Sequence, residues 1–154
     1  MKKLIIALTF LILFTSATTG ASPLGDGLQM MVDEYNKNAG VAPSPIKTIF
    51  GNEVIQLTVE MNDGSMFYFK LVTDDAKIVE FEEISVDDDI DATLLVGIDE
   101  DTLSALANST SPLHIFLDAY EDGRITVEAV GAVNKITIAL GNLAIKLSQL
   151  LGFI

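Results

Sequence analysis

Three patterns predict an α+β fold with an antiparallel (mixed) sheet of about five strands. The chain between residues 46 and 84 alternates apolar and polar residues between short turns, as in a meander with one face buried and one wet. Residues 91–129 then read strand, helix, helix, strand. Helical apolar spacing recurs near both ends of the chain, and a long C-terminal helix is expected from Val133 to Ile154. At 154 residues, 49% hydrophobic and 20% charged, the chain is long and apolar enough to bury one core. It divides into residues 1–21, a leader; 22–45, an N-terminal helix and linker; and 46–154, the main domain.

The leader has a basic start, Lys2-Lys3, an apolar run from Leu4 to Phe14 broken by Thr9, and a small-residue stretch ending Thr19-Gly20-Ala21. The run is shorter than the ~20 residues that span a bilayer. It reads as a secretory signal cleaved near Ala21, giving a secreted or cell-surface protein; an uncleaved anchor is the alternative. Next, Leu28, Met31, Val32 and Tyr35 fall at helical spacing, with Asp26 as the expected cap and Gly40 as a stop. The apolar stripe is narrow, so this helix is expected at the edge of something larger. Residues 41–45, VAPSP, read as a stiff connector.

The strands follow. Ile46–Phe50 is expected to be a short strand turning at Gly51-Asn52. Ile55, Leu57, Val59 and Met61 give the next inward face, and Asn62-Asp63-Gly64 a hairpin turn. Phe67, Phe69 and Leu71 face inward in the partner strand, Thr73-Asp74-Asp75 turns again, and Lys77–Ile84 forms a third strand. Asp87, Asp89 and Asp91 match the first ligands of a calcium loop, but Ala92 and Ile98 stand where that loop needs Gly and Glu, so the stretch reads as a solvated acidic loop. Ala92, Leu94, Val96 and Ile98 form an inward strand face that runs into a helix capped by Asp99, with Leu103 and Leu106 buried. Asn108-Ser109-Thr110 breaks the helix and is also a glycosylation triplet. Ser111-Pro112 starts a second helix, lined on one face by Leu113, Phe116, Leu117 and Tyr120. Asp122-Gly123 ends it before a strand carrying Ile125, Val127 and Ala129.

Charge and composition narrow the function. A net charge of −13 with scattered lysines argues against nucleic acid and against anionic membrane surfaces. The absence of Cys excludes disulfides, thiolate metal sites and a Cys nucleophile. The single His, His114, and the unpaired carboxylates make no catalytic constellation, so the chain reads as a non-enzyme needing no cofactor or metal. The C-terminal segment is apolar over a wide arc, with a narrow polar stripe that includes Asn134, Gly141, Asn142 and Ser148. Such a segment is expected to lie over a core, a partner, a second copy, an apolar molecule or, transiently, a membrane surface.

The stretch DATLLVGIDEDTLSALAN followed by SPLHIFLDAYEDGRITVEAVGAVNKI resembles the sterol-carrier (non-specific lipid-transfer) domain. The pieces are Asp91-Ala92-Thr93, the Leu103–Leu106 helix, Gly123-Arg124-Ile125 and Gly131; the hairpin VIQLTVEMNDGSMFYFKL looks like that family's central meander. The resemblance implies a twisted sheet covered on one face by helices, an apolar tunnel between the layers, and an apolar ligand such as a fatty acyl or isoprenoid lipid. The expected tunnel wall is Leu113, Phe116, Leu117 and Tyr120 on one side, and Ile138, Leu143, Leu147 and Leu151 on the other. The alternative is a surface structural or protein-interaction module whose C-terminal helix docks a partner or a second copy.

Overall fold

The computed structural model describes residues 22–41 and 44–131. Its elements are α1 (Pro23–Asn38), a single 3-10 turn (Ala39–Val41), α2 (Ser44–Phe50), β1 (Val54–Glu60), β2 (Met66–Asp74), β3 (Lys77–Ile84), β4 (Leu94–Asp99), α3 (Glu100–Asn108), α4 (Pro112–Glu121) and β5 (Ile125–Ala129). The sheet order is β3-β2-β1-β4-β5. β1 and β4 run parallel and every other pair is antiparallel, so the sheet is mixed, as expected. The expected C-terminal helix lies outside the described residues.

Alternation sets the inward face. Leu57 pairs with Phe69 on one side and Val96 on the other, and Val96 pairs with Val127. Side chains on directly paired residues share a face, so these four line the helix side of the sheet. Two residues along, Val59, Ile98 and Ile125 line up in the same way. The parallel β1–β4 pair is fastened at its start by Thr93, whose hydroxyl donates to the Glu53 carboxylate and accepts from Val54 N at 3.0 Å.

Two turns show how the chain reverses. Between β1 and β2, Gly64 takes φ +84°, a value that side chains rarely adopt. Between β2 and β3, Asp75 and Ala76 both have positive φ, the geometry of a tight hairpin turn whose twist suits the flanking strands. This turn lies slightly later than Thr73–Asp75, because β2 continues to Asp74. Ala76 is held in this unfavourable region by its surroundings: its N–H donates to the Gly51 carbonyl at 2.9 Å, and Tyr35 Oη donates to its carbonyl at 2.6 Å.

Two sequence expectations are corrected. Ile46–Phe50 is the end of a helix, not a strand. Ser44-Pro45 opens that helix, because proline in the first turn has no intrahelical hydrogen bond to lose. In α1 the cap is Ser22 rather than Asp26: the Ser22 hydroxyl accepts from Gly25 N at 3.1 Å and Pro23 begins the helix, which places Asp26 inside the first turn.

β3 holds a register shift opposite Val72/Thr73. Thr73 pairs with Ile78 and Leu71 with Phe81, so one extra residue is accommodated on β3. Ile78 and Phe81 are three apart, a spacing that a regular strand would send to opposite faces; the bulge turns both inward and leaves Val79 61% exposed.

α1 lies against β3 and fastens to it at both ends. Near its C-terminus, Asn36 Nδ2 donates to the Ile78 carbonyl at 2.8 Å and Asn36 Oδ1 accepts from Ile78 N at 2.9 Å. At its N-terminus, Ser22 N donates to Glu83 Oε2 at 2.8 Å. α3 begins as expected, with Asp99 Oδ1 accepting from Thr102 N at 2.7 Å. Asp99 Oδ2 also accepts from the hydroxyl of Thr102, which in turn accepts from Arg124 Nη1 at 3.1 Å. α4 starts at Pro112 after Ser111, although the Ser111 side chain makes no capping hydrogen bond.

Candidate functional site

The apolar core is unevenly filled. Val59, Ile98 and Ile125 pack with Leu28, Leu103 and Ala119 into a buried cluster that also includes Phe69, itself stacked on Phe81 at 5.4 Å between ring centres. Beside this cluster, Leu57, Leu71 and Val96 are only half-buried, although they sit on the three middle strands and face the helices. The space over them is a cavity of two adjoining lobes of about 280 Å³ and about 260 Å³, sharing Tyr35, Leu57, Leu71, Ile78, Val96 and Phe116. Each lobe by itself is slightly below the roughly 300–1,000 Å³ range of small-molecule sites, and the two adjoin.

Each wall has a local cause. β1, β2 and β4 supply the floor through alternation, and the bulge in β3 adds Ile78. α1 supplies one wall with Leu28, Met31, Val32 and Tyr35. α4 supplies Phe116, whose ring lies parallel to that of Tyr120 with centres 6.3 Å apart. Phe50, the last residue of α2, and Ile55 extend the first lobe.

The lining is almost wholly apolar, and its polar groups are already engaged. The Tyr35 hydroxyl donates to the Ala76 carbonyl, and burial raises its pKa above the usual phenol value. The Thr73 hydroxyl accepts from Glu53 N at 2.9 Å and donates to the Glu53 carbonyl at 3.4 Å. Neither presents a free donor to the cavity, so the lining offers apolar contact alone. Among the described residues, no cluster of His, Asp or Glu could hold a metal ion.

The sequence-derived wall is distributed differently. Phe116 lines the cavity, Leu117 is buried in the core at 3% exposure, and Tyr120 is half-buried against Phe116. Leu113 lies in the first turn of α4, but its side chain is outside the described set, as are Ile138, Leu143, Leu147 and Leu151 entirely. Tyr35 and Ile78 were not among the expected wall residues. Tyr35 stands on the apolar stripe of α1, which was its available signal; Ile78 reaches the cavity through a bulge that alternation does not reveal.

No family model matches the chain, and no curated protein sequence matches it. Solved structures do. The crystal structure of sterol carrier protein 2 like 2 from Aedes aegypti is similar over 79% of this chain and 96% of its own, at 14% identity and a TM-score of 0.45. The solution structure of the palmitated Aedes aegypti protein covers 78% and 89%, at 15% identity and a TM-score of 0.43. Sterol carrier protein domain 2 of Helicoverpa armigera covers 85% and 95%, at 11% identity and a TM-score of 0.46. The chain is thus similar to sterol-carrier domains, the family that its sequence resembles.

Proposed function

We propose that this protein is an exported carrier that holds an apolar molecule, such as a fatty acyl or isoprenoid chain, between its sheet and helices. The observation that carries this reading is the half-buried trio Leu57, Leu71 and Val96 at the middle of the sheet, under a cavity whose polar groups are already paired. A domain stabilised only by its own packing would bring side chains down onto these positions, as it does at Val59 and Phe69, which are fully buried and line neither lobe. A hydrocarbon chain placed there gains about 0.8 kcal/mol for each CH₂ removed from water. In this reading the signal near Ala21 sends the chain out of the cytoplasm. The domain binds and releases; no bond is made or broken in its cavity.

The test is native mass spectrometry of the purified full chain together with a fluorescent fatty-acyl probe, on wild type and on Val96→Phe. Val96 lines both lobes. Wild type should carry or accept an apolar molecule, and the larger ring should lower probe affinity about tenfold or more while the circular dichroism spectrum stays the same. A wild-type protein with neither a co-purifying apolar molecule nor a probe response would sink the reading.

A further inference from the structure

We propose that export leaves a chain beginning at Ser22, and that its new α-ammonium group pairs with Glu83 to fasten α1 across the cavity. This rests on the export reading above and is independent of what the cavity holds. Thr19 and Ala21 occupy the small-residue positions of a signal cleavage site, so Ser22 is the residue that would be exposed. A leader peptidase adds one water across the Ala21–Ser22 amide. The C–N bond breaks, leaving a carboxylate on Ala21 and an ammonium on Ser22.

The structure has a receptor waiting for that charge. Ser22 N already lies 2.8 Å from Glu83 Oε2, across 61 residues of sequence. Glu83 is paired with the fully buried Phe69, which puts it on the helix side of the sheet, whereas Glu80 and Glu82 alternate to the outer side with Lys70. Glu83 is itself half-buried, and among the described residues it has no lysine or arginine partner. A carboxylate that already accepts a hydrogen bond there is held more firmly by a charged donor than by a neutral amide.

The complementary need is on α1. Ser22 is the helix cap, so a bare ammonium there would sit at the positive end of the helix dipole. Glu83 offsets it within hydrogen-bond distance, and Asp26 adds a negative charge in the first turn. While the leader is attached, the same contact is an amide hydrogen bond; after cleavage it is charge-assisted, the stronger kind. The other end of α1 is fastened by neutral bonds from Tyr35 and Asn36. Processing therefore strengthens the end of the cavity wall that precedes Leu28 and Val32.

The experiment expresses the full chain in an export-competent host and recovers the exported protein as wild type, Glu83→Gln and, as a control, Glu82→Gln. Intact mass gives the first residue, and the rate of amine acylation near neutral pH reports how firmly Ser22 holds its proton. The expected result is a chain starting at Ser22 whose amine reacts about three- to tenfold more slowly in wild type and Glu82→Gln than in Glu83→Gln. Equal rates in a chain starting at Ser22 would overturn the pairing and leave the export reading standing. A different first residue, or a retained leader, would overturn the pairing and its premise together, while leaving the probe-binding result untouched.

Discussion

Two neighbouring parts of one sheet face have opposite packing. At one end Val59 and Phe69 are fully buried and line neither lobe, and the space before them is filled. Two residues along the same strands, Leu57 and Leu71 meet a cavity. All four are apolar and point inward. What differs is the covering: Leu28 of α1, Leu103 of α3 and Ala119 of α4 pack over the filled end, whereas Tyr35 of α1 and Phe116 of α4 border the space at the other. Burial is thus decided by how the covering elements are placed, and a cavity is held open by well-packed neighbours.

The comparison breaks most sharply at Phe69, which is fully buried and stacked on Phe81. Phe69→Ala should cost about 3–5 kcal/mol in denaturant unfolding, because the surroundings cannot collapse into the gap. Leu57→Ala, on the same face but half-buried, should cost about 1.5 kcal/mol, less than the roughly 2–5 kcal/mol of a fully packed leucine. It should also retain the fatty-acyl probe, since the change enlarges the cavity. Equal costs at the two positions would mean that the cavity contributes to packing as the filled end does.

Asp99→Ala tests what holds the cover of the filled end, and should cost about 1 kcal/mol through loss of the cap. Burial acts to raise the pKa of Asp99, but the Thr102 hydrogen bonds and the charge of Arg124 outweigh it and hold the carboxyl below its ordinary value. Its contribution is therefore full above the ordinary carboxylate pKa and disappears as pH falls through the depressed folded value. The gap between wild type and variant in thermal midpoint should be widest near neutral pH and close in acid. The smallest effect belongs to the outer face: Lys70→Met, which removes the pair with Glu80, should change stability by no more than about 0.5 kcal/mol and should not alter probe binding.

Much of this arrangement was legible in the residues. Period two identified the inward faces of β1, β2 and β4, and Asp99 announced the start of α3. Ile46–Phe50 misled because a seven-residue helix is too short to display its period, while its β-branched residues suit a strand. The bulge in β3 was hidden because no residue type requires it. The cavity was hidden for a deeper reason: leucine and valine look alike whether the space before them is filled or empty. Residues 57, 71 and 96 could be read as inward, but how far the helices stand above them is a property of the assembled layers.

Asn36 has a consequence beyond fastening α1. Its carboxamide gives Ile78 one donor and one acceptor, the two bonds that an adjacent strand would supply. At that point the margin of the sheet is satisfied by a single side chain, so another molecule's extended segment has nothing to template upon unless α1 first peels away. The bond that steadies the cavity wall is also a guard against amyloid-like stacking, and loss of Asn36 should be seen in light scattering of concentrated protein before it is seen in ligand binding.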